Sequence, residues 1–274
     1  MRSVKPVVIK IGGSTLGNHD TTLQDLVRLQ KQGMPLVVVH GGGQEVSRWL
    51  AKLGISTSFV NGLRVTDVET LKVVAAVLGG LVNKELVADI QALGGKAIGL
   101  SGADGNLLSA SPKNSELGYT GEVLRVDPKP LRLLLQAGYI LVVAPISIGL
   151  SEEKGTTLLN VNGDAAAGEI AAALGAERLI FLTDVDGIHD QSGRIVPKLT
   201  VSEAESMLSS GTASGGMIPK VEASIKALAT VRAVRVIDGR IPHALLNIIA
   251  SEVPRSSSEQ APQSQFGGTA IVHD

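Results

Sequence analysis

Cysteine is missing from all 274 residues, which excludes disulfides, thiolate metal sites and cysteine nucleophiles, and permits a reducing compartment. Aromatic residues are nearly missing too. Three Phe, two Tyr and one Trp make no platform on which nucleic-acid bases stack, so Ala, Val, Leu and Ile must fill the core. Charge of one sign is not in excess either. With 25 basic against 26 acidic residues the chain has no electrostatic footprint for nucleic acid. No run approaches the roughly 20 apolar residues needed to span a bilayer, so no membrane partner is expected. The apolar run 7–11 is broken by Lys10 and followed by Gly12 and Gly13, too short for a secretory core; the expected location is cytoplasmic. Neither a Walker A loop nor GxGxxG is present, which disfavours a Rossmann dehydrogenase.

What is there is a rhythm of short β-branched runs and amphipathic segments. Strands are expected at 7–11, 36–39, 96–100, 140–144, 179–182, 233–237 and 269–273, and helices at 22–32, 44–53, 164–174 and 220–229. VVI, LVVV, ILVVA and LIFL are apolar throughout rather than alternating, the mark of strands buried on both faces of a parallel sheet between helices. The turn-rich stretch 107–126 reads as a hairpin over a ligand cleft. Residues 251–268, rich in Ser, Gln and Pro, read as a loop before the last strand. A chain of 274 residues exceeds the typical domain of roughly 100–150, and the polar stretch SEEKGT suggests a boundary near Gly155. That divides the chain into 1–155 and 156–274.

Six segments carry candidate chemistry. KIGGS (10–14) follows a strand, so Gly12 and Gly13 free N–H groups toward an anion and Lys10 adds charge; a plain tight turn is the simpler alternative. HGGGQ (40–44) sits at a strand-to-helix junction, where Gly42 and Gly43 let N–H groups converge on a phosphate or carboxylate. His40 is expected to fix that loop rather than to react. NGLRVTD (61–67) presents Arg64 as a planar fork for a carboxylate. NVNGD (160–164) holds more side-chain amides and carboxylates than one helix cap needs, and Asp164 there can hold two lysines in place. TDVDGI (183–188) stands at the carboxyl end of a strand, where open parallel sheets bind nucleotides; its aspartates are otherwise turn formers. GGMIPK (215–220) brings a second glycine-led lysine, Lys220. Phosphoryl transfer needs charge around the moving group more than a covalent partner, and this inventory supplies it.

In this order, the six segments resemble the amino-acid kinase superfamily from about 7 to 246, nearly the whole chain. The resemblance implies a three-layer α/β/α sandwich around a mainly parallel sheet. The N-terminal lobe would bind an acylated amino acid and dimerise, and the C-terminal lobe would bind ATP with Mg²⁺. Carried over by matching residues, Lys10 and Lys220 neutralise the transferring phosphoryl group and Asp164 orients both. Gly12 and Gly13 offer N–H groups to phosphoryl oxygens. Gly42 and Gly43 lie near the acceptor carboxylate, Arg64 clamps the α-carboxylate, and Asn160 meets the substrate amide. Thr183, Asp184, Asp186, Gly187, Ile188, Thr212, Ser214 and Gly216 resemble the nucleotide-binding segments. No protein metal ligand is implied.

The implied reaction is ATP-dependent phosphorylation of the γ-carboxylate of N-acetyl-L-glutamate, the second step of arginine biosynthesis. Alternatives are N-acetyl-2-aminoadipate, a carrier-linked acidic amino acid, or a non-catalytic regulatory protein on the same scaffold; Arg64 favours a free α-carboxylate. Only six residues precede the first strand, fewer than the roughly 12–15 of a marginal helix. A homodimer insensitive to arginine is therefore expected, although VIDGRIPHALL resembles the arginine-sensitive branch.

Overall fold

The computed structural model describes residues 5–12, 21–151, 155–213, 215–251 and 267–274. Its first half contains β1 (Val7–Ile11), α1 (Thr22–Lys31), β2 (Leu36–His40), α2 (Gly43–Lys52), β3 (Phe59–Val60), β4 (Leu63–Arg64), α3 (Val68–Val74), α4 (Asn83–Ala92) and β5 (Ala97–Ser101). There follow β6 (Leu108–Pro112), β7 (Thr120–Val126), α5 (Lys129–Gln136), β8 (Ile140–Ala144), β9 (Ile146–Ser151) and β10 (Gly155–Val161). The rest is α6 (Gly163–Leu174), β11 (Arg178–Thr183), β12 (Lys198–Thr200), α7 (Val201–Ser209), α8 (Met217–Leu228), β13 (Ala233–Asp238), α9 (Ala244–Ser251) and β14 (Thr269–Val272).

Eight strands form one sheet in the order β12-β14-β13-β11-β1-β2-β8-β5. From β13 to β5 every pair is parallel, and β14 runs antiparallel to β13. Every residue of β1, β2 and β8 is buried, as their unbroken apolar runs require when helices cover both faces. Val8, Val37, Leu141 and Phe181 point into one core with α6 and α8, while Val7, Ile9, Val38 and Ile180 point into a second core with α1, α2 and α9. This is a three-layer α/β/α sandwich. Lys10 lies two residues from Val8 and so shares the α6 face, because successive strand residues alternate.

The expected hairpin over 107–126 is present as β6 and β7, paired antiparallel. Beyond that hairpin, β9 and β10 close with it into a four-stranded barrel, β10-β7-β6-β9. The boundary placed near Gly155 falls in the β9–β10 hairpin, where Gly155 pairs with Ser151. The eight-stranded sheet takes β1, β2, β5 and β8 from one side of that position and β11 to β14 from the other.

Helix ends follow local chemistry. Asn162 caps α6, accepting from the backbone N–H of Asp164 at 2.8 Å and of Ala165 at 3.1 Å, and Gly175 ends the helix at φ 58°. Asp67 caps α3 by accepting from Thr70 N–H at 2.7 Å. Between α3 and α4 the chain stays helical through a wide π turn, Ala75–Val82, so 68–92 is one long helix with a bulge in its middle. Its run AAVLGGLV is apolar all round and contains two glycines, so the sequence carries no helical alternation there.

Candidate active site

The carboxyl ends of β1, β2 and β11 meet the N-terminus of α6 at one place. Gly163 packs in ordinary contact there, its Cβ position 3.5 Å from Lys10 Cε and 3.6 Å from the His40 carbonyl oxygen. Asp164 follows in the first turn of α6 and is 4% exposed. Its Oδ1 lies 2.9 Å from Lys10 Nζ and its Oδ2 accepts a hydrogen bond from Lys220 Nζ at 3.0 Å. The Lys10 contact is a charge contact rather than an aligned hydrogen bond, since Oδ1 has no hydrogen-bond partner among the described residues. Burial pushes the Asp164 carboxyl up, but the charges of Lys10 and Lys220 outweigh it and hold the group below the usual carboxylate range. Lys220 also donates to the carbonyl of Gly216 at 3.2 Å, so the glycine turn before α8 aims the second lysine.

Lys220 reaches Asp164 because α6 and α8 touch backbone to backbone. Gly168 stands one turn after Asp164, and a Cβ there would lie 2.8 Å from the carbonyl oxygen of Ala223.

A second cluster forms around the glycine loop after β2. Gly42 has φ 138°, a conformation that excludes most side chains, and it opens α2. The Arg64 guanidinium, 8% exposed as a residue, donates to the Gly43 carbonyl at 2.9 Å, to Ser47 Oγ at 2.8 Å, and to Thr57 Oγ1. It stacks on Phe59 with 4.7 Å to the ring centroid. Burial pushes the guanidinium below its ordinary value. Asn160 Nδ2 donates to Thr66 Oγ1 at 3.0 Å; the Thr120 hydroxyl donates to the Arg64 carbonyl at 2.6 Å, and the single hydrogen of the Thr66 hydroxyl is shared between Thr120 Oγ1 at 2.9 Å and the same carbonyl at 3.1 Å. Thus Arg64 and Asn160 belong to one buried network.

The third cluster lies at the end of β11. Thr183 is buried and its Oγ1 accepts from Val185 N–H at 2.9 Å. Asp184 and Asp186 are exposed, and Asp186 pairs with His189 at 3.0 Å. Gly187 and Ile188 are buried against Thr269, whose hydroxyl accepts from Ile188 N–H at 2.8 Å. Thr212 is drawn toward Gln191, which donates to its hydroxyl at 3.0 Å. One expected role needs correcting. The Gly12 N–H is not free for an anion: it donates to the Leu182 carbonyl at 3.2 Å, continuing the β1–β11 ladder. Gly13 and Ser214 lie outside the described residues, as does most of 251–268.

Several residues of these clusters were not singled out from sequence. Thr66 and Thr120 look like ordinary strand threonines, although Thr120 lies between Gly118 and Gly121. Ser47 and Thr57 carry no motif. Asn162 was one of several cap candidates, and only the hydrogen bonds select it. A cavity of about 540 Å³ opens beside the site, lined by Asn61, Leu63, Thr120, Asn162, Gly168 and Ile218 among others. Lys10, Asp164 and Lys220 do not line it; it approaches them through Asn162, the cap of their helix.

Comparison with known proteins gives consistent results. The profile of the amino acid kinase family matches residues 5–238. An acetylglutamate kinase of Dehalococcoides mccartyi is 47% identical over 242 residues, covering 88% of this chain and 89% of that one. An acetylglutamate kinase of Nostoc sp. is 48% identical over 257 residues, covering 91% and 85%. Among solved structures, N-acetylglutamate synthase from Neisseria gonorrhoeae, in complex with coenzyme A and N-acetyl-glutamate, superposes with a TM-score of 0.78 at 27% identity. The match covers 98% of this chain but 60% of that longer one.

Proposed function

The chain belongs to the amino acid kinase family, within its acetylglutamate kinases, and on that premise we infer how its residues divide the work. The protein is a carboxyl-group phosphotransferase: it uses ATP to phosphorylate the γ-carboxylate of N-acetyl-L-glutamate, in arginine biosynthesis. The observation that carries the assignment of roles is the Lys10–Asp164–Lys220 cluster.

A carboxylate is already ionised at neutral pH, so the acceptor needs no general base. Its oxygen attacks the γ-phosphorus in line, the bond to the bridging oxygen breaks, and ADP leaves with the electron pair. Lys10 and Lys220 are two fixed cations on either side of one buried carboxylate. Their charges lie where negative charge spreads over the moving phosphoryl group. Asp164 holds both ammonium groups in register. Both of its oxygens face lysine ammonium groups; Mg²⁺ would accompany the nucleotide and would supply further positive charge at its phosphates.

Arg64 is the clamp for the α-carboxylate. A guanidinium has five N–H groups, and three are committed to Gly43, Ser47 and Thr57, leaving donors for a ligand. Asn160 spends its amide nitrogen on Thr66, which leaves its oxygen for the substrate amide N–H. On this reading the acyl amino acid binds in 1–155 together with Asn160, supported by these groups, and ATP binds in 156–274, supported by the end of β11 and the turn before α8. A homodimer through the N-terminal half belongs to the same reading. It is supported by β5, an edge strand whose residues are mostly half-buried where those of β1, β2 and β8 are fully buried. The cytoplasm is the compartment this biosynthetic role fits.

The test is ADP release with N-acetylglutamate, N-acetyl-2-aminoadipate, glutamate and aspartate as acceptors. N-acetylglutamate should give the highest kcat/KM by at least about tenfold, because Arg64 and Asn160 both find partners on it. A preference for aminoadipate or for an unacylated amino acid would overturn the substrate assignment.

A further inference from the structure

We propose that Asn83 and the π turn before it position the glycine loop, acting through His40. This rests on the reading that Gly42 and Gly43 face the acceptor carboxylate.

His40 ends β2 fully buried, with both ring nitrogens engaged. Its Nδ1 lies 2.7 Å from the carbonyl oxygen of Gly41. A carbonyl only accepts, so Nδ1 carries the hydrogen. Its Nε2 lies 3.2 Å from Asn83 Nδ2. That amide cannot be turned round. The same nitrogen donates to the carbonyls of Val142 at 2.9 Å and Leu100 at 3.2 Å, and Oδ1 accepts from Lys84 Nζ at 3.0 Å. Its two hydrogens serve three acceptors, so Leu100 and His40 share one of them. Nε2 must therefore accept, and one neutral tautomer satisfies both sides of the ring.

The loop inherits its shape from that tautomer. The Gly41 carbonyl is held by Nδ1–H, and the Gly41 N–H donates to the Ile11 carbonyl at 2.8 Å. With both polar groups of Gly41 tied, the loop is fixed where the first N–H groups of α2, which have no partner inside the helix, are left for a ligand. The π turn completes the cradle: a Cβ on Gly42 would lie 2.7 Å from Leu78 Cδ2 and 3.5 Å from Val82 Cγ2. The widened turn thus supplies the apolar floor under Gly42 and, one residue on, the amide that reads His40. Burial, with the charges of Lys10 and Lys84, lowers His40 to about 4, so the ring stays neutral at working pH. His40 and Asn83 are positioning residues that act through the loop.

The experiment compares His40→Asn, His40→Gln and Asn83→Ala with the wild type in steady-state kinetics, alongside melting temperatures. Asparagine places an amide N–H where Nδ1 was; glutamine reaches toward Asn83 and leaves Gly41 unheld. His40→Asn should keep kcat/KM for N-acetylglutamate within about threefold, while His40→Gln should lose about 10²-fold with KM for ATP unchanged. Asn83→Ala should give a smaller loss of the same kind. ¹⁵N-histidine NMR on the wild-type chain, with His40 identified by its disappearance in His40→Asn, should show hydrogen on Nδ1 and a bare Nε2 from pH 5 to 8. Wild-type turnover of N-acetylglutamate checks the functional reading separately. A hydrogen on Nε2, equal losses in the Asn and Gln variants, or losses that merely follow melting temperature would overturn the inference.

Discussion

Asp164 and Lys220, 56 residues apart in sequence, meet at 3.0 Å, and the opposite oxygen of the same carboxylate lies 2.9 Å from Lys10. Two cations held by one buried anion are costly to assemble unless all three charges are used. Lys10→Ala and Lys220→Ala should each lower kcat by about 10²-fold or more, with smaller changes in either KM. Asp164→Asn should do the same and also destabilise the fold. Asn162, not Asp164, caps α6, so the change spares the cap. It leaves buried Lys10 and half-buried Lys220 without their counter-charge, at a cost of about 3 kcal/mol. Steady-state kinetics and urea denaturation check the three variants together; an Asp164→Asn protein of wild-type stability would refute the charge argument.

Gly168→Ala tests the spacing of α6 and α8. Its methyl group would stand 2.8 Å from the Ala223 carbonyl, so the helices must separate. Overpacking of this kind costs about 1–3 kcal/mol. The functional consequence is more specific: α8 carries Lys220, so kcat should fall further than KM for either substrate rises. Equal activity with a lowered melting temperature would mean that the lysine follows Asp164 regardless of the helix.

Arg64→Lys keeps the charge and loses the planar fork that binds Gly43, Ser47 and Thr57 at once. KM for N-acetylglutamate should rise about tenfold or more while KM for ATP stays within about twofold. Initial-rate measurements with each substrate varied in turn decide it. A rise confined to ATP would place Arg64 in the other half of the cleft.

The sequence made the lysine–aspartate–lysine arrangement legible because each member sits beside glycine or a cap residue in a short, distinctive run. The central strands were legible because β1, β2, β8 and β11 are apolar runs that only a doubly covered sheet buries. The long helix 68–92 was not, since its apolar, glycine-containing middle lacks the 3.6-residue alternation that marks a surface helix. Nor was the commitment of the Gly12 N–H to Leu182, which depends on strand pairing across 170 residues rather than on local composition. Thr66, Thr120 and Asn83 are single polar residues whose value comes only from what the fold brings beside them.

Acid should weaken the protein in two stages. His40 is held near 4 against an ordinary 6.5, so the unfolded chain takes up the proton first as pH falls. Its neutral form supports the fold above pH 6.5, and that support, about 3 kcal/mol at most, is lost between 6.5 and 4. Asp164 is held below the usual carboxylate range, so its contribution is present above that range and is lost only as pH falls through its lower folded value. Urea midpoints at pH 7, 6 and 5 should decline, and His40→Asn should flatten that decline. A slope unchanged in the variant would show that another group titrates there.

The most direct test of the account is a hydroxylamine trap run with the purified wild-type protein, ATP, Mg²⁺ and N-acetylglutamate. An acyl phosphate reacts with hydroxylamine to a hydroxamate, so the trap reports the bond the site is built to form. Hydroxamate should appear in step with ADP, one for one, and should fall by about 10²-fold in Lys220→Ala. ADP released without hydroxamate, or hydroxamate formed equally well by the variant, would contradict phosphoryl transfer to the carboxylate by this lysine pair.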